Sequence, residues 1–255
     1  MVTYRSPREW ERMRDAGRVV ARILASVRDV AEPGVPLAEL DAVAERVLKE
    51  HGATSPFLHY KPQWAPMPYP ANICVSVNDV VVHGIPDGGV LKDGDLVTVD
   101  GGAKVGGYCG DAAISFMVGT ADEGGLRLIE TTRAALERGI AAAVPGNRIG
   151  DVAAAIEGTA RAAGYGIADG SGGHGIGTEM HEDPSVPNKG RPGRGMKIRE
   201  GLTIAIEPLV TESGRDATWV LEDGWAVATA DGSRAAHFEH SVAITGDGPL
   251  ILTAP

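Results

Sequence analysis

Apolar positions recur along this chain with two periods. Trp10, Met13, Val20, Leu24 and Val27 are spaced by three, seven, four and three residues, which lines one face of a helix. Ser6, Pro7 and Glu9 supply its N-cap, first-turn proline and capping-box carboxylate, and Pro33-Gly34 ends it. A second helix is predicted over about 37–49, followed by strands near 73–82, 95–101 and 111–118. After Gly119 the order starts again: a helix over about 123–143, a stop at Pro145-Gly146, a helix over about 149–163, then strand-like segments.

The repetition extends to residues. Lys92-Asp93-Gly94-Asp95-Leu96-Val97-Thr98-Val99-Asp100 is matched by Arg199-Glu200-Gly201-Leu202-Thr203-Ile204-Ala205-Ile206-Glu207, with charge, acid, glycine, apolar strand and terminal carboxylate recurring in register, although Leu96 against Thr203 departs. Two such copies predict one pseudo-symmetric α/β (α+β) unit with two helices and a small sheet per half. Symmetry brings equivalent positions together near the axis, so Asp100 and Glu207 are expected to face each other at the centre.

A length of 255 residues fits one large domain or two ordinary ones; the repeat decides for a single domain over 1–255, with halves of about 1–120 and 121–255. The sequence is 43% hydrophobic and contains no run of eighteen apolar residues, so no membrane span is expected. Eleven charged side chains among the first thirty residues leave no stretch for a signal peptide. With Cys74 and Cys109 as the only cysteines, a disulfide framework and a thiolate zinc module are excluded, and a reducing, cytoplasmic setting is expected. A net charge of -10 argues against a nucleic-acid backbone as the main partner. The basic run 189–199, broken by glycine and proline, reads as a solvated loop.

The chemistry concentrates in acids and histidines. Asp100 and Asp111 flank a glycine-rich turn; centred on Val105 and Gly106, that turn sets residue 100 opposite residue 111. Like charges on one face are destabilising unless something positive lies between them. Glu207 and Glu239 repeat the pair in the second half. Two divalent ions would neutralise four such carboxylates. The imidazole candidate is His174 in Gly173-His174-Gly175, whose glycines allow close approach of backbone and metal. Oxygen-rich coordination with one imidazole suits Mn, Fe, Co or Zn. Gly170-Ser171-Gly172-Gly173-His174-Gly175 fits a dinucleotide pattern but lacks the preceding strand and following helix that the pattern needs. Cys109 reads as a small packed residue rather than a nucleophile, because Asp111 opposes its thiolate.

Three stretches, Ser76-Val77-Asn78-Asp79-Val80-Val81-Val82-His83-Gly84-Ile85-Pro86, Gly173-His174-Gly175-Ile176-Gly177 with His181-Glu182-Asp183-Pro184, and Phe238-Glu239-His240-Ser241, resemble type I methionine aminopeptidases of the short bacterial form. The similarity runs from about residue 6 to 245. It implies the pseudo-two-fold "pita-bread" fold, with a small antiparallel sheet in each half, and a site at its centre holding two divalent ions. Carried over position by position, it makes Asp100, Asp111, His174, Glu207 and Glu239 the metal ligands, with Asp111 and Glu239 bridging.

The resemblance further implies that His83 and His181 contact substrate and that Glu207 moves the proton of an ion-activated water. His83 would meet the scissile amide nitrogen and His181 the carbonyl oxygen, while one ion takes the substrate's free α-amine. Tyr69, Cys74 and Trp225 would line the methionine pocket, with Met180 standing where an aromatic ring is expected. The segment 60–69 is more proline-rich than the family pattern, so the pocket entrance is expected to differ. The implied partners are the N-termini of nascent polypeptides, at the ribosome, with the enzyme a monomer. Two rivals share the fold: an Xaa-Pro peptidase, disfavoured by Glu239-His240-Ser241 and by the stretch ending at Pro86, and a non-enzymatic binding protein, disfavoured because all five ligand candidates are present.

Overall fold

The capping box at Ser6 starts the first helix as expected: the Glu9 carboxylate accepts from the Ser6 backbone N–H at 2.8 Å and from its hydroxyl at 2.7 Å. In the computed structural model, which describes residues 1–254, α1 runs over Pro7–Val30 and α2 over Leu37–Glu50. The first half continues with β1 (Ile73–Val77), β2 (Val80–Val82), β3 (Leu96–Val105) and β4 (Tyr108–Met117). The second half opens with α3 (Glu123–Ala142) and α4 (Ile149–Ala162). It then adds β5 (Gly166–Ile167), β6 (Gly172–Gly175), β7 (Glu182–Pro187), β8 (Thr203–Ile206) and β9 (Leu209–Thr211). The chain ends with β10 (Thr218–Val220), β11 (Val227–Thr229), β12 (Ala235–His237), β13 (Glu239–Thr245) and β14 (Gly248–Ile251).

Each half builds its own antiparallel sheet, β1-β3-β4 in the first and β13-β8-β6-β7 in the second, with β14 beside β13. The two join where β13 pairs β4 through Glu239 opposite Ala113 and His240 opposite Ala112. The seam of the two half-sheets therefore carries acids from both. α1 and α2 share a buried cluster with β1, β3 and β4, while α3 and α4 enclose a second with β8 and β13. Apolar faces at helical spacing are thus buried against the sheet, which is what stabilises helices of this length.

Two expectations are corrected. The strand near 73–82 is split, because Asn78 takes a positive φ of 56° and turns the chain out of the main sheet, so β2 pairs β11 instead. The hairpin between β3 and β4 turns on Gly106 and Gly107, not on Val105 and Gly106: Val105 lies opposite Tyr108. A two-residue hairpin turn of this hand needs positive φ at both central positions, and φ is 56° and 88° at the two glycines. Asp100 then lies opposite Ala113, and Asp111 opposite Gly102. The shift is two residues, so both acids keep a common face and become diagonal rather than direct neighbours.

Candidate active site

The strands converge their acids at the seam. Asp100 on β3, Asp111 on β4, Glu207 just past β8 and Glu239 at the start of β13 line one cleft with His174. Asp100, Asp111 and Glu239 are buried. Asp111 is fixed by Ser241 across the seam, whose hydroxyl accepts from the Asp111 N–H at 3.0 Å and donates to its carbonyl at 2.9 Å. His174 stands on β6, its Nδ1 2.9 Å from the Gly175 carbonyl. Donation there leaves Nε2 with its lone pair towards the acids, 3.6 Å from Asp111 Oδ2 and 3.9 Å from Glu207 Oε1. Such a backbone bond is the usual way to orient a ligating imidazole. The flanking glycines serve neighbouring strands: a Cβ on Gly173 would lie 2.1 Å from the Ala205 carbonyl oxygen and one on Gly175 2.1 Å from that of Asp183.

Four acids at one spot raise each other's cost of ionisation. Burial, then the Asp111 charge, lifts Asp100 well above the carboxylate range. Burial pushes Asp111 and Glu207 each up to about 8, and Glu239 is raised by burial and by the other three acids. Asp100 Oδ1, Asp111 Oδ1 and Glu239 Oε1 are buried without a hydrogen-bond partner. Orphaned carboxylate oxygens converging from three strands, with an imidazole lone pair beside them, fit divalent cations. Two overlapping groups of ligand atoms can be drawn, Asp111, His174 and Glu239, and Glu207, His237 and Glu239, each with its atoms within 4.8 Å of one another.

His237 was not singled out by the sequence reading. A signal was available: strand alternation that turns Glu239 inward turns the residue two before it to the same side. Of the other wall residues, Tyr60 and Trp64 fall in the proline-rich segment expected at the pocket entrance and Val82 adjoins His83, whereas Phe57 carried no such signal. Phe57, Tyr60, Trp64 and Val82 line the cleft along with Tyr69, Cys74, His83, His181 and Trp225, and the first three come from an irregular segment without periodicity. Tyr60 stacks on His181 with ring centroids 5.1 Å apart. Trp64 stacks on His83 at 6.2 Å and meets Trp225 edge-on at 4.9 Å. Tyr69 also meets Trp225 edge-on, at 5.0 Å. Met180 is not among the residues that line the cleft; it sits in one buried cluster with Phe57, Tyr69, Cys74 and Trp225, and Phe57 provides an aromatic ring in the wall.

His181 lies 4.4 Å from His174, centroid to centroid. Burial, with the neighbouring imidazoles, lowers His181 to about 3, and burial lowers His83 to about 4, so both are neutral near pH 7. The loop carrying His181 is clamped from beneath: the buried Arg5 guanidinium donates to both Glu182 oxygens at 2.7 and 2.8 Å and to Thr203 Oγ1 at 3.0 Å. Glu182 in turn accepts from the Thr178 and Glu179 N–H groups. Cys109 is no nucleophile at neutral pH, since burial pushes its thiol up to about 11.

The family model of metallopeptidase family M24 matches residues 11–246. The chain is 52% identical over 260 residues to methionine aminopeptidase 1 of Mycobacterium tuberculosis, covering 99% of this chain and 95% of that protein. Its fold superposes on the crystal structure of methionine aminopeptidase from Thermotoga maritima with a TM-score of 0.95 at 42% identity, over the full length of both. Prolidase from Pyrococcus furiosus is matched at a TM-score of 0.77 and 22% identity over 99% of this chain and 65% of that one, a likeness of fold alone.

Proposed function

This chain belongs to metallopeptidase family M24, in its methionine aminopeptidase branch, and we propose that it removes N-terminal methionine, where the second residue is small, through a two-ion centre held by Asp100, Asp111, His174, Glu207 and Glu239. The observation that carries the two-ion reading is the set of orphaned, buried carboxylate oxygens at the seam. Glu239 belongs to both groups of ligand atoms, which suits a bridging role, and Asp111 shares it. When bound, the ions supply positive charge and bring the pKa of water towards neutrality.

The remaining steps fall to side chains. Glu207 takes the proton of the attacking water and passes it to the departing amine, as a carboxylate lining the cleft with one oxygen near His174 and the other near His237 can do. Neutral His181 donates to the carbonyl oxygen as negative charge grows there. His83 contacts the scissile amide nitrogen. A free α-amine, which an internal peptide bond lacks, would be available to one of the ions, and this favours a first residue. Tyr69, Cys74 and Trp225, with Phe57 and Trp64, give the methionine side chain an apolar, aromatic seat.

We place the enzyme in the cytoplasm, as a monomer acting on nascent chains at the ribosome. Supporting this, both cysteines are free and buried, and no helix among the described residues is long and apolar enough to cross a membrane. The test is to strip the protein of metal, restore Mn, Co, Fe or Zn separately, and follow cleavage of Met-Ala-Ser beside Met-Pro and Ala-Pro peptides. Metal-dependent release of methionine from Met-Ala-Ser, lost in Asp111→Ala, is expected. Cleavage confined to Xaa-Pro bonds would move the chain to the prolidase branch.

A further inference from the structure

We infer that His237 is a metal ligand, the second imidazole of the centre, binding through Nε2 the ion that Glu207 and Glu239 also hold. The inference rests on the two-ion reading above and adds a nitrogen donor to it. His237 ends β12, is 1% exposed, and has neither ring nitrogen hydrogen-bonded. A buried imidazole with both nitrogens idle is costly unless something occupies one of them. Its Nε2 lies 3.9 Å from Glu207 Oε2 and 3.7 Å from Glu239 Oε2.

These separations decide between two roles. They are too long for hydrogen bonds. They fall within the span of one cation, since two ligand atoms each about 2.1 Å from an ion lie at most about 4.2 Å apart. The accepted candidate His174 shows the same spacing, 3.6 Å from Asp111 Oδ2 and 3.9 Å from Glu207 Oε1. Glu207 therefore turns one oxygen towards each imidazole. The backbone beneath His237 is pinned as firmly as that of Asp111: Ser115 Oγ accepts from the His237 N–H at 2.9 Å and donates to its carbonyl at 2.9 Å. Thr98 Oγ1 lies 2.7 Å from the same hydroxyl. Across the seam, Ser241 holds Asp111 through the same pair of bonds. The ring is thus held at a fixed place over two carboxylates.

A centre with two imidazoles among its acids has a donor set shifted from oxygen towards nitrogen, and so towards Zn, Co or Fe and away from Mn. The direct test is nitrogen NMR of the metal-free protein labelled with ¹⁵N-histidine and titrated with zinc. Two imidazoles, those absent from the spectra of His174→Gln and His237→Gln, are expected to move to metal-bound shifts. Calorimetric titration of His237→Gln should show one of two zinc equivalents weakened at least about tenfold, with Mn affected less. If His237→Gln fails to fold, His237→Asn and through-space contacts to Ser115 assign the resonance in the unaltered protein. Movement of the His174 resonance alone, with two undiminished zinc equivalents in the variant, would overturn the inference. Neither readout uses peptide cleavage, so a protein that binds zinc through His237 but cleaves no methionine refutes the substrate reading and leaves this one standing.

Discussion

The floor and the wall of the cleft are built by different means. Every floor residue stands on, or one position beyond, a strand of the main sheet: Asp100, Asp111, His174, Glu207 and Glu239. Their positions are set by ladder bonds and by the serine brace at the seam. The wall is drawn mostly from the irregular stretch holding Phe57, Tyr60, Trp64 and Tyr69, and from Trp225, and its order comes from ring against ring. Trp64 remains 60% exposed. A floor fixed by backbone suits chemistry that fails with small displacements, whereas a wall of stacked rings can adapt to what enters.

That contrast makes substitutions on the two sides separable. Asp111→Ala should cost the most, at least about a thousandfold in kcat/KM, because it removes a shared ligand and leaves its partners unneutralised; metal content measured on the same sample should drop with it. His181→Ala, at the boundary of floor and wall, should lower kcat by about a hundredfold to a thousandfold while bound metal stays at the native level. Trp64→Ala should raise KM for Met-Ala-Ser by about tenfold with kcat nearly unchanged, the loss expected for one partly buried aromatic contact. A Trp64→Ala enzyme that lost kcat and metal together would erase the distinction.

The smallest effect is on stability rather than activity. Asp111 and Glu207 are raised in the folded protein to about 8, above their unfolded values, so their neutral forms favour folding. That contribution is complete below the unfolded pKa near 4 and is lost as pH rises through about 8. The melting temperature of the metal-free protein should therefore fall between pH 5 and 8.5, while that of the zinc-loaded protein, whose ions hold the carboxylates ionised, should not follow it. Parallel curves for the two forms would show that the acids are not what metal compensates.

The same contrast explains what could be read from residues alone. The floor was legible because an apolar strand ending in a carboxylate occurs twice, at Asp100 and Glu207, and because antiparallel geometry sets Asp111 and Glu239 beside them. Even the misplaced turn left Asp111 on the correct face, since the error was two residues and the strand period is two. His237 was overlooked although the period that exposes Glu239 to the site exposes it too. The wall resisted because Phe57, Tyr60 and Trp64 follow no period, and residue order could not tell that Phe57 lines the cleft while Met180 packs beside it in the buried cluster.

The clamp beneath the His181 loop sets an order of assembly. Arg5 and Glu182 are 177 positions apart, so during synthesis Arg5 emerges long before the carboxylate that will bury its charge exists. The strands carrying Asp100 and Asp111 can pair while the chain is still growing, but the loop holding His181 has no anchor until Glu182 and Thr203 have both appeared. Competence therefore arrives late and all at once, and a partly made chain holds half of the acids without the histidine that would use them.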